Sequence, residues 1–195
     1  MKPKVSLNDI TIRNEMRPGD LGYIIHRHGK LYDEEYGYGI AFETYVGAGL
    51  HEFYTQYDPQ SDRVWIAGHE GKIVGFLLLM HRENNTAQLR YFYLEPEYRG
   101  IGLGKRLMEL YMDFLLSRGY SSSYLWTTHE LHAAASLYTR YGFRLTEEKA
   151  STAFGKPLKE QRYDLVLPPA GDKTHFPAAD TTHSPAASDK KKLNQ

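Results

Sequence analysis

The alternation of apolar and polar residues along the chain predicts a protein of mixed helices and strands. Seven runs rich in β-branched, aliphatic and aromatic residues, each bounded by turn residues, are typical of strands. Glu70-Gly71 lies between the second and third runs and predicts a hairpin turn. The runs are ITIRNEM (10–16), RVWIAGHE (63–70), KIVGFLLLMHR (72–82), AQLRYFYLEP (87–96), SYLWTT (123–128), FRLTEEK (143–149) and QRYDLVL (161–167).

Helical periodicity separates these strands. Between 102 and 118 apolar residues recur at i, i+4, i+7, i+8 and i+11, which places them on one face of a helix, and Gly119 follows as its stop. Near the start of the chain, a Pro-Gly turn followed by Asp20 predicts an N-cap for a helix that runs to about Leu31. Two further helices are predicted over 41–57 and 131–141.

The composition changes after Val166. From Leu167 onward the chain is rich in Pro, Ala, Asp, Thr and Lys, and Phe176 is its only aromatic residue. Such a segment cannot bury enough apolar surface to offset the entropy lost on ordering. We therefore expect one folded domain over residues 1–167 and a disordered tail over 168–195. A role of this tail as a peptide ligand for a partner is the alternative.

Composition removes several classes of function. The 195 residues include no cysteine, which excludes disulfide scaffolds, thiolate metal sites and a cysteine nucleophile. The 24 basic and 24 acidic residues balance, so no overall field attracts nucleic acid. The close histidine pairs, 26/28 and 129/132, lack the i, i+4 spacing of a helical metal site, and no metal is expected. No apolar run is long enough to span a bilayer and the start has no signal-like region, so we expect a cytoplasmic protein.

The segment EPEYRGIGLGKRLMEL (95–110) carries glycines at 100, 102 and 104, between a predicted strand and a predicted helix. This order of elements suits phosphate binding, because free N–H groups and the helix macrodipole attract an anion. A Walker A loop would need glycine at Arg99 and Ser or Thr at Arg106, and a dinucleotide fingerprint would need its third glycine at Lys105. Both are excluded. A turn that only allows close packing of helix on sheet is the structural alternative.

Arg99-x-x-Gly102-x-Gly104 matches the R/Q-x-x-G-x-G/A signature of the GNAT superfamily of N-acetyltransferases. The segment AAASLYTRYGFRL (133–145) resembles that family's A-x-x-L-Y-x-x-x-G-F helix and turn, and the order of elements is similar over about residues 9–167. The resemblance implies an α/β (α+β) fold with a mixed, mostly antiparallel central sheet of six to seven strands and about four helices. The segments 16–39 and 152–165 look like the acetyltransferase domains fused to MarR-type regulators, although no winged-helix domain precedes them here.

The resemblance also implies a binding site for acetyl-coenzyme A. The strand before the glycine turn would splay from its neighbour and bind the pantetheine arm through its backbone. The amides of the turn would hold the pyrophosphate, with charge from Arg99 and, unless it is only a solvated helix residue, from Lys105. Tyr138 occupies the position of a phenol that reprotonates the thiolate; a packed helix tyrosine is the alternative. The implied cofactor-binding positions are Phe92, Tyr93, Leu94, Arg99, Gly100, Ile101, Gly102, Leu103, Gly104 and Lys105.

Two departures from the family pattern leave the general base open. Leu131 stands where relatives often have a coenzyme-binding asparagine, and Trp126 stands where some relatives have a glutamate base. Several other groups near the predicted cleft could take the proton, directly or through water. The candidates are Glu34, Glu35, Tyr36, Glu95, His129 and Glu130.

The resemblance implies an acceptor site in two segments. The first is HGKLYDEEYGYG (28–39), interpreted as the loop between the first two helices, with Tyr32, Glu35 and Tyr36 as contacts. The second is EKASTAFGKPLKEQ (148–161), which joins the last two strands. The acidic and aromatic residues of the first segment suit a cationic amine on a small molecule or a peptide. The implied function is direct transfer of an acetyl group from acetyl-coenzyme A to a primary amine, since no thiol is present to form an acyl-enzyme. A non-catalytic acyl-coenzyme A sensor is the alternative. A homodimer, frequent in the family, is the assembly that the resemblance suggests.

Overall fold

The computed structural model describes residues 5–168, and the predicted tail lies outside them apart from Pro168. Within this range the chain forms four α-helices, a seven-stranded sheet and two short 3-10 turns. The predicted fold class is confirmed. The helices are α1 (Asp20–Tyr36), α2 (Ile40–Thr55), α3 (Leu103–Arg118) and α4 (His132–Arg140). The strands are β1 (Thr11–Arg13), β2 (Arg63–His69), β3 (Lys72–Arg82), β4 (Thr86–Leu94), β5 (Ser122–Thr128), β6 (Arg144–Ser151) and β7 (Leu158–Val166).

The strands lie in the order β1-β2-β3-β4-β5-β7-β6. Strands β4 and β5 run parallel, and every other neighbouring pair of the described strands is antiparallel. Helix α3 supplies the long crossover that a parallel pair requires. Because β4 and β5 are neighbouring parallel strands in the middle of the sheet, their carboxyl ends lie side by side. The glycine turn after β4 and the start of α4 after β5 therefore lie next to each other.

The sheet separates two hydrophobic cores. Side chains of β3 alternate between them: Leu77 and Leu79 pack with α3 and α4, whereas Phe76, Leu78 and Met80 pack with α1 and α2. Helices on both faces leave no solvated side for β3, which explains its unbroken aliphatic run. A side chain of the sheet therefore points either to the core with α1 and α2 or to the core with α3 and α4. We call these two sides the α1/α2 face and the α3/α4 face.

Two predicted chain reversals are present. Glu70 and Gly71 both have positive φ, 48° and 76°, as a two-residue hairpin between β2 and β3 requires. Gly119 ends α3 in the left-handed conformation at φ 67°, and its N–H donates to the carbonyls of Leu115 and Leu116. Both positions follow from local sequence, because the left-handed region favours glycine.

The first helix differs from its prediction at both ends. It continues past Leu31 to Tyr36, since neither glycine nor proline stands between Leu31 and Gly37, which ends it at φ 69°. Most of the segment interpreted as an acceptor loop is therefore helix. At the other end Gly19 is the N-cap. Asp20 is the first helical residue, and its carboxylate accepts the backbone N–H of Arg17 at 2.6 Å.

No helix of residues 5–168 is long and apolar enough to cross a membrane. In the same residues, no group of three or more His, Cys, Asp or Glu side chains could hold a metal ion.

Candidate active site

The sheet opens where β4 and β5 diverge. Their pairing runs from Thr86 opposite Ser122 to Leu89 opposite Leu125 and then stops, although both strands continue. A bulge in β4 accompanies this opening, because β4 has one extra residue relative to β3 and Tyr91 adopts φ 55°. Bulges bend a strand and re-aim its side chains. The result is a cleft through the middle of the sheet.

In this part of β4, the backbone N–H and C=O groups of successive residues point alternately towards β3 and towards the cleft. Glu95 N–H donates to Val74 O at 2.9 Å, and Tyr93 lies opposite Phe76 in the same register. In an antiparallel ladder every second residue bonds to its partner strand, so Tyr93 and Glu95 face β3. The backbones of Phe92 and Leu94 therefore face the cleft. Of the three residues predicted to bind the pantetheine arm, Tyr93 does not present its backbone there.

The glycine turn adjoins the opening of the cleft. Gly100 and Gly102 adopt φ 77° and 92°, a conformation that costs other residues free energy. Gly104 lies in the first turn of α3, where an added Cβ would be 3.3 Å from Leu94 Cδ1 and 3.5 Å from Leu137 Cδ2. Two glycines thus shape the turn, and the third lets α3 approach β4. No side chain caps the start of α3, so its first amides remain free to bind an anion.

Arg99 connects the turn to α1. Its Nε donates to Leu94 O at 3.2 Å, and its two terminal nitrogens contact the carboxylate of Glu35 at 2.8 and 3.1 Å. Glu35, predicted as an acceptor contact, therefore lies against the glycine turn. Lys105 lies 3.8 Å from Glu109 on the surface of α3. The two residues predicted to add positive charge to the pyrophosphate site both have carboxylate partners.

A cavity of about 90 Å³ passes through the split between β4 and β5. Phe92, Leu131 and Tyr138 line it from the side of α3 and α4. Aromatic side chains form its other wall, on the α1/α2 face. This wall consists of Tyr32, Tyr38, Phe42, Tyr45, Tyr91 and Phe154.

Tyr138 lies where the two sides of the cavity meet. Its ring is 5% exposed and lies 6.3 Å from that of Phe92, between centroids. Burial raises the pKa of its phenol, which keeps the group protonated and able to donate. Its hydroxyl makes no hydrogen bond with any residue of 5–168. Tyr32 lines the same cavity from α1, and burial raises the pKa of its phenol. Tyr36 packs behind Tyr32, with ring centroids 5.6 Å apart.

The sequence-predicted base candidates are engaged elsewhere. Glu95 accepts two hydrogen bonds from Arg27, at 2.6 and 2.5 Å. Glu130 accepts from Lys156 at 2.7 Å and from the Tyr38 hydroxyl at 3.1 Å. Neither carboxylate lines the cavity. Each carboxylate is paired with a cationic side chain, Glu95 with Arg27 and Glu130 with Lys156.

The remaining candidates lie outside the cavity. Glu34 is exposed and lies 3.7 Å from Lys30 on the outer side of α1. His129 accepts the backbone N–H of Lys159 at 3.2 Å and faces an outer groove together with His132.

Two charged residues of the cavity, Glu160 of β7 and Arg90 of β4, were not named as site residues from the sequence. Glu160 lies within the predicted segment 148–161, whereas Arg90 lies outside both predicted segments. Glu160 is the one carboxylate among the described lining residues, and Lys149, its partner, is 3.8 Å away. Arg90 stands directly before the bulge. Alternation in the strands could have assigned both to a common face, but only after the strand order was known.

His28 lines the cavity from α1, while His26 is exposed. The Nδ1 atom of His28 lies 2.9 Å from Ile24 O, and Nε2 has no partner among the described residues. Burial lowers the pKa of His28 to about 4. The imidazole is therefore neutral at pH 7, with Nδ1–H donating to the carbonyl and the lone pair on Nε2.

The split sheet, the glycine turn and the buried tyrosine define a protein of the acyltransferase class. The sequence model of the acetyltransferase (GNAT) family matches residues 30–143. This is more than half of the chain, and the chain belongs to this family.

Several curated proteins resemble the chain. An uncharacterized N-acetyltransferase, YjgM of Escherichia coli K12, is 31% identical over 112 residues, 54% of this chain and 67% of that protein. The N-acetylaspartate synthetase of Danio rerio is 32% identical over 102 residues, 52% of this chain. The human N-acetylaspartate synthetase is 32% identical over 98 residues, 50% of this chain. The chain spans only 36% and 32% of the length of these two synthetases.

Solved structures of low sequence identity share the fold. A GNAT-family acetyltransferase from Staphylococcus aureus Mu50 has a TM-score of 0.65 at 20% identity, covering 82% of this chain and 99% of that one. A GNAT-family acetyltransferase from Elizabethkingia anophelis with acetyl-CoA bound has a TM-score of 0.58 at 16% identity, with the same coverage. At this identity the likeness concerns the fold alone.

Proposed function

We propose that this protein is an acetyl-coenzyme A-dependent N-acetyltransferase that transfers the acetyl group directly to a primary amine of a small molecule or a peptide. The observation that carries the proposal is the split between β4 and β5, which leads from the glycine turn to Tyr138. The backbone edge of Phe92 and Leu94 suits an extended pantetheine arm. The free amides at the start of α3, beside Gly100 and Gly102, suit a pyrophosphate.

In this proposal the amine nitrogen forms a bond to the thioester carbonyl carbon, and the carbon–sulfur bond then breaks. The N–H of Leu94, which faces the cleft, would stabilise the oxyanion of the tetrahedral intermediate. Tyr138 would donate its proton to the departing thiolate, which gives free coenzyme A. Its hydroxyl has no competing partner among the described residues.

The proton lost by the amine needs an acceptor, and Glu160 fits this role best. It is the carboxylate that lines the cavity, and its partner Lys149 is 3.8 Å away. The other candidate carboxylates are bonded more closely to cations or lie on the outer surface. General-base catalysis of this kind contributes roughly 100- to 10,000-fold to a rate.

The acceptor proposal changes from that made on the sequence alone. Asp33 and Glu34 are exposed on α1 and Glu35 is paired with Arg99, so the acidic cluster does not line the cavity. Tyr32 does line it. Some relatives are named for the synthesis of N-acetylaspartate, a product formed by acetylating an amino acid. We keep a primary amine as the acceptor class, and a cytoplasmic location and a homodimer as further proposals.

The second candidate function is an acyl-coenzyme A sensor without turnover. Leu131, in place of the asparagine of many relatives, lines the cavity and supports this alternative. The resemblance to domains fused to MarR-type regulators would fit a sensor, and the relatives named above do not bear on it.

A matched pair of glycine variants tests the proposed cofactor site by calorimetry. Gly100→Asp would place a carboxylate in the turn, where an added Cβ meets no atom within 4 Å. Gly71→Asp is the control, since Gly71 has φ 76° against 77° for Gly100 and equally open space. We expect micromolar binding of acetyl-coenzyme A by the wild type and by Gly71→Asp, and its loss in Gly100→Asp. Equal binding by all three would refute the assigned site.

Release of free thiol in the presence of amines then separates the two functions. An enzyme releases coenzyme A with at least one amine of a broad panel. A sensor binds acetyl-coenzyme A and releases none.

A further inference from the structure

Arg90 is held rigidly at the α1/α2 side of the cavity. One terminal nitrogen, Nη1, lies 3.2 Å from Glu52 Oε2, and the other, Nη2, lies 3.3 Å from the Tyr45 hydroxyl. The guanidinium also lies over two aromatic rings, 4.7 Å from the centroid of Tyr91 and 5.6 Å from that of Tyr45. Such contacts fix the direction of its N–H groups before any ligand binds.

The guanidinium has unused hydrogen-bonding capacity. It carries five N–H donors, of which two reach Glu52 and Tyr45. The Nε–H and one N–H on each terminal nitrogen make no hydrogen bond with residues 5–168. The Arg90 side chain is only 10% exposed and lines the cavity. Unused donors on a mostly buried cation are costly unless a ligand or water accepts from them.

The local charge is not balanced. Glu52 accepts from Arg82 at 2.7 Å as well as from Arg90 at 3.2 Å, so two guanidinium groups share one carboxylate. Neither arginine has another carboxylate within 4.0 Å among the described residues. This leaves one net positive charge at the wall of the cavity.

The backbone of α2 makes room for this arrangement. A Cβ at Gly49 would lie 2.6 Å from Arg90 Nη2 and 1.7 Å from the Tyr91 hydroxyl. Both side chains therefore rest directly on the helix, and a Cβ at this position would displace them. Tyr91, the residue of the bulge that opens the sheet, and Arg90 thus pack against the same position of α2.

We infer that Arg90 binds a carboxylate of the acceptor, and that the acceptor is a zwitterionic amino acid. Glu160 lies on β7 and Arg90 on β4, on opposite sides of β5. A ligand between them would meet a negative group at one end and a positive group at the other. An amino acid has this polarity, with its ammonium towards Glu160 and its carboxylate towards Arg90. The inference rests on the proposed acetyl transfer.

The test compares each member of a panel of L-amino acids with its own primary amide, with thiol release as the readout. A charge-assisted hydrogen bond contributes about 1.5–3 kcal/mol, so we expect kcat/KM for the acid to exceed that for the amide by roughly 10- to 100-fold. In Arg90→Gln this preference disappears, mainly through a higher KM for the acid, so that the acid and its amide have similar kcat/KM. Arg82→Gln is the comparison variant, because Arg82 binds the same glutamate but does not line the cavity. It removes the net positive charge and keeps the N–H donors of Arg90, so it should reduce the preference without abolishing it.

Each outcome of this test supports or overturns the inference. An equal or higher kcat/KM for the amides in the wild type overturns the inference and leaves the acetyltransferase proposal intact. A preference that survives in Arg90→Gln overturns the role of Arg90. If no amine releases thiol, the proposed function fails, and calorimetry of N-acetyl amino acids against N-acetyl amino acid amides then tests the carboxylate site. Tighter binding of the acids that depends on Arg90 supports the site, and equal binding refutes it.

Discussion

Replacing His28 by asparagine should reduce the loss in the free energy of unfolding that occurs as the pH falls below 7. The imidazole is 1% exposed and is surrounded by the rings of Tyr32, Tyr91 and Tyr93, at 5.9, 5.8 and 4.7 Å between centroids. Burial lowers its pKa to about 4, so the unfolded chain binds a proton on this group more readily than the folded protein does. Stability therefore falls as the pH falls from about 6.5 to about 4.

The size of the effect follows from the two pKa values. With a pKa of about 4 when folded and about 6.5 when unfolded, the group lowers the free energy of unfolding by about 2.5 kcal/mol between pH 7 and pH 4.5. Asparagine keeps an N–H that can donate to Ile24 O, and it does not titrate. The lost ring packing lowers the stability of His28→Asn at every pH and does not change the slope.

Urea unfolding at a series of pH values measures this slope. The exposed His26, two residues away on the same helix, supplies the control variant His26→Asn, which should keep the wild-type slope. The variant His28→Asn should lose about 2.5 kcal/mol less than the wild type between pH 7 and pH 4.5. Parallel curves for the wild type and His28→Asn would refute the argument, since the histidine would then titrate equally in both states.

Three further changes test the site and the turn. Glu160→Gln should lower kcat by roughly 100-fold with unchanged binding of acetyl-coenzyme A, and an unchanged kcat would exclude Glu160 as the base. Tyr138→Phe should lower kcat by a similar factor without loss of stability, because the hydroxyl has no partner in the described residues; a fall in melting temperature would instead indicate a structural role. Gly102→Ala should cost about 1–2 kcal/mol at its φ of 92°, whereas Gly47→Ala, in the helical interior of α2, should stabilise by up to about 1 kcal/mol; chemical unfolding that ranks the two variants in the opposite order would contradict the conformational argument.

The side of the cleft formed by β4, the glycine turn and α3 could be predicted because its parts are contiguous in the chain. A strand, a turn and a helix occupy residues 86–118, and the spacing of the glycines reports the backbone directly. At Gly100 and Gly102 the left-handed conformation favours glycine, so the presence of glycine predicts the backbone conformation at these positions. The hairpin at Glu70-Gly71 was predicted for the same reason.

The α1/α2 side of the cavity could be predicted only in part, because its residues come from elements far apart in the chain. Tyr32 was predicted and lines the cavity, whereas Arg90 was not expected there. His28, Arg90, Trp126 and Glu160 meet only once the strand order is fixed. Each of these residue types is also common on ordinary surfaces or in cores. The prediction for Glu35 depended on its charge, which suits a cationic acceptor; the end of α1 places this side chain against Arg99.

The sheet divides the two halves of the proposed reaction between its faces. Groups suited to the coenzyme lie with α3 and α4, groups suited to the acceptor lie with α1 and α2, and the two sets meet only at the split beside Tyr138. Substitutions among the aromatic residues of α1 and α2 can therefore change the acceptor without moving the glycine turn. The salt bridge between Glu35 and Arg99 is an exception, because it joins the end of α1 to that turn. A substitution at Glu35 is therefore expected to change the binding of both the coenzyme and the acceptor, although Glu35 does not line the cavity.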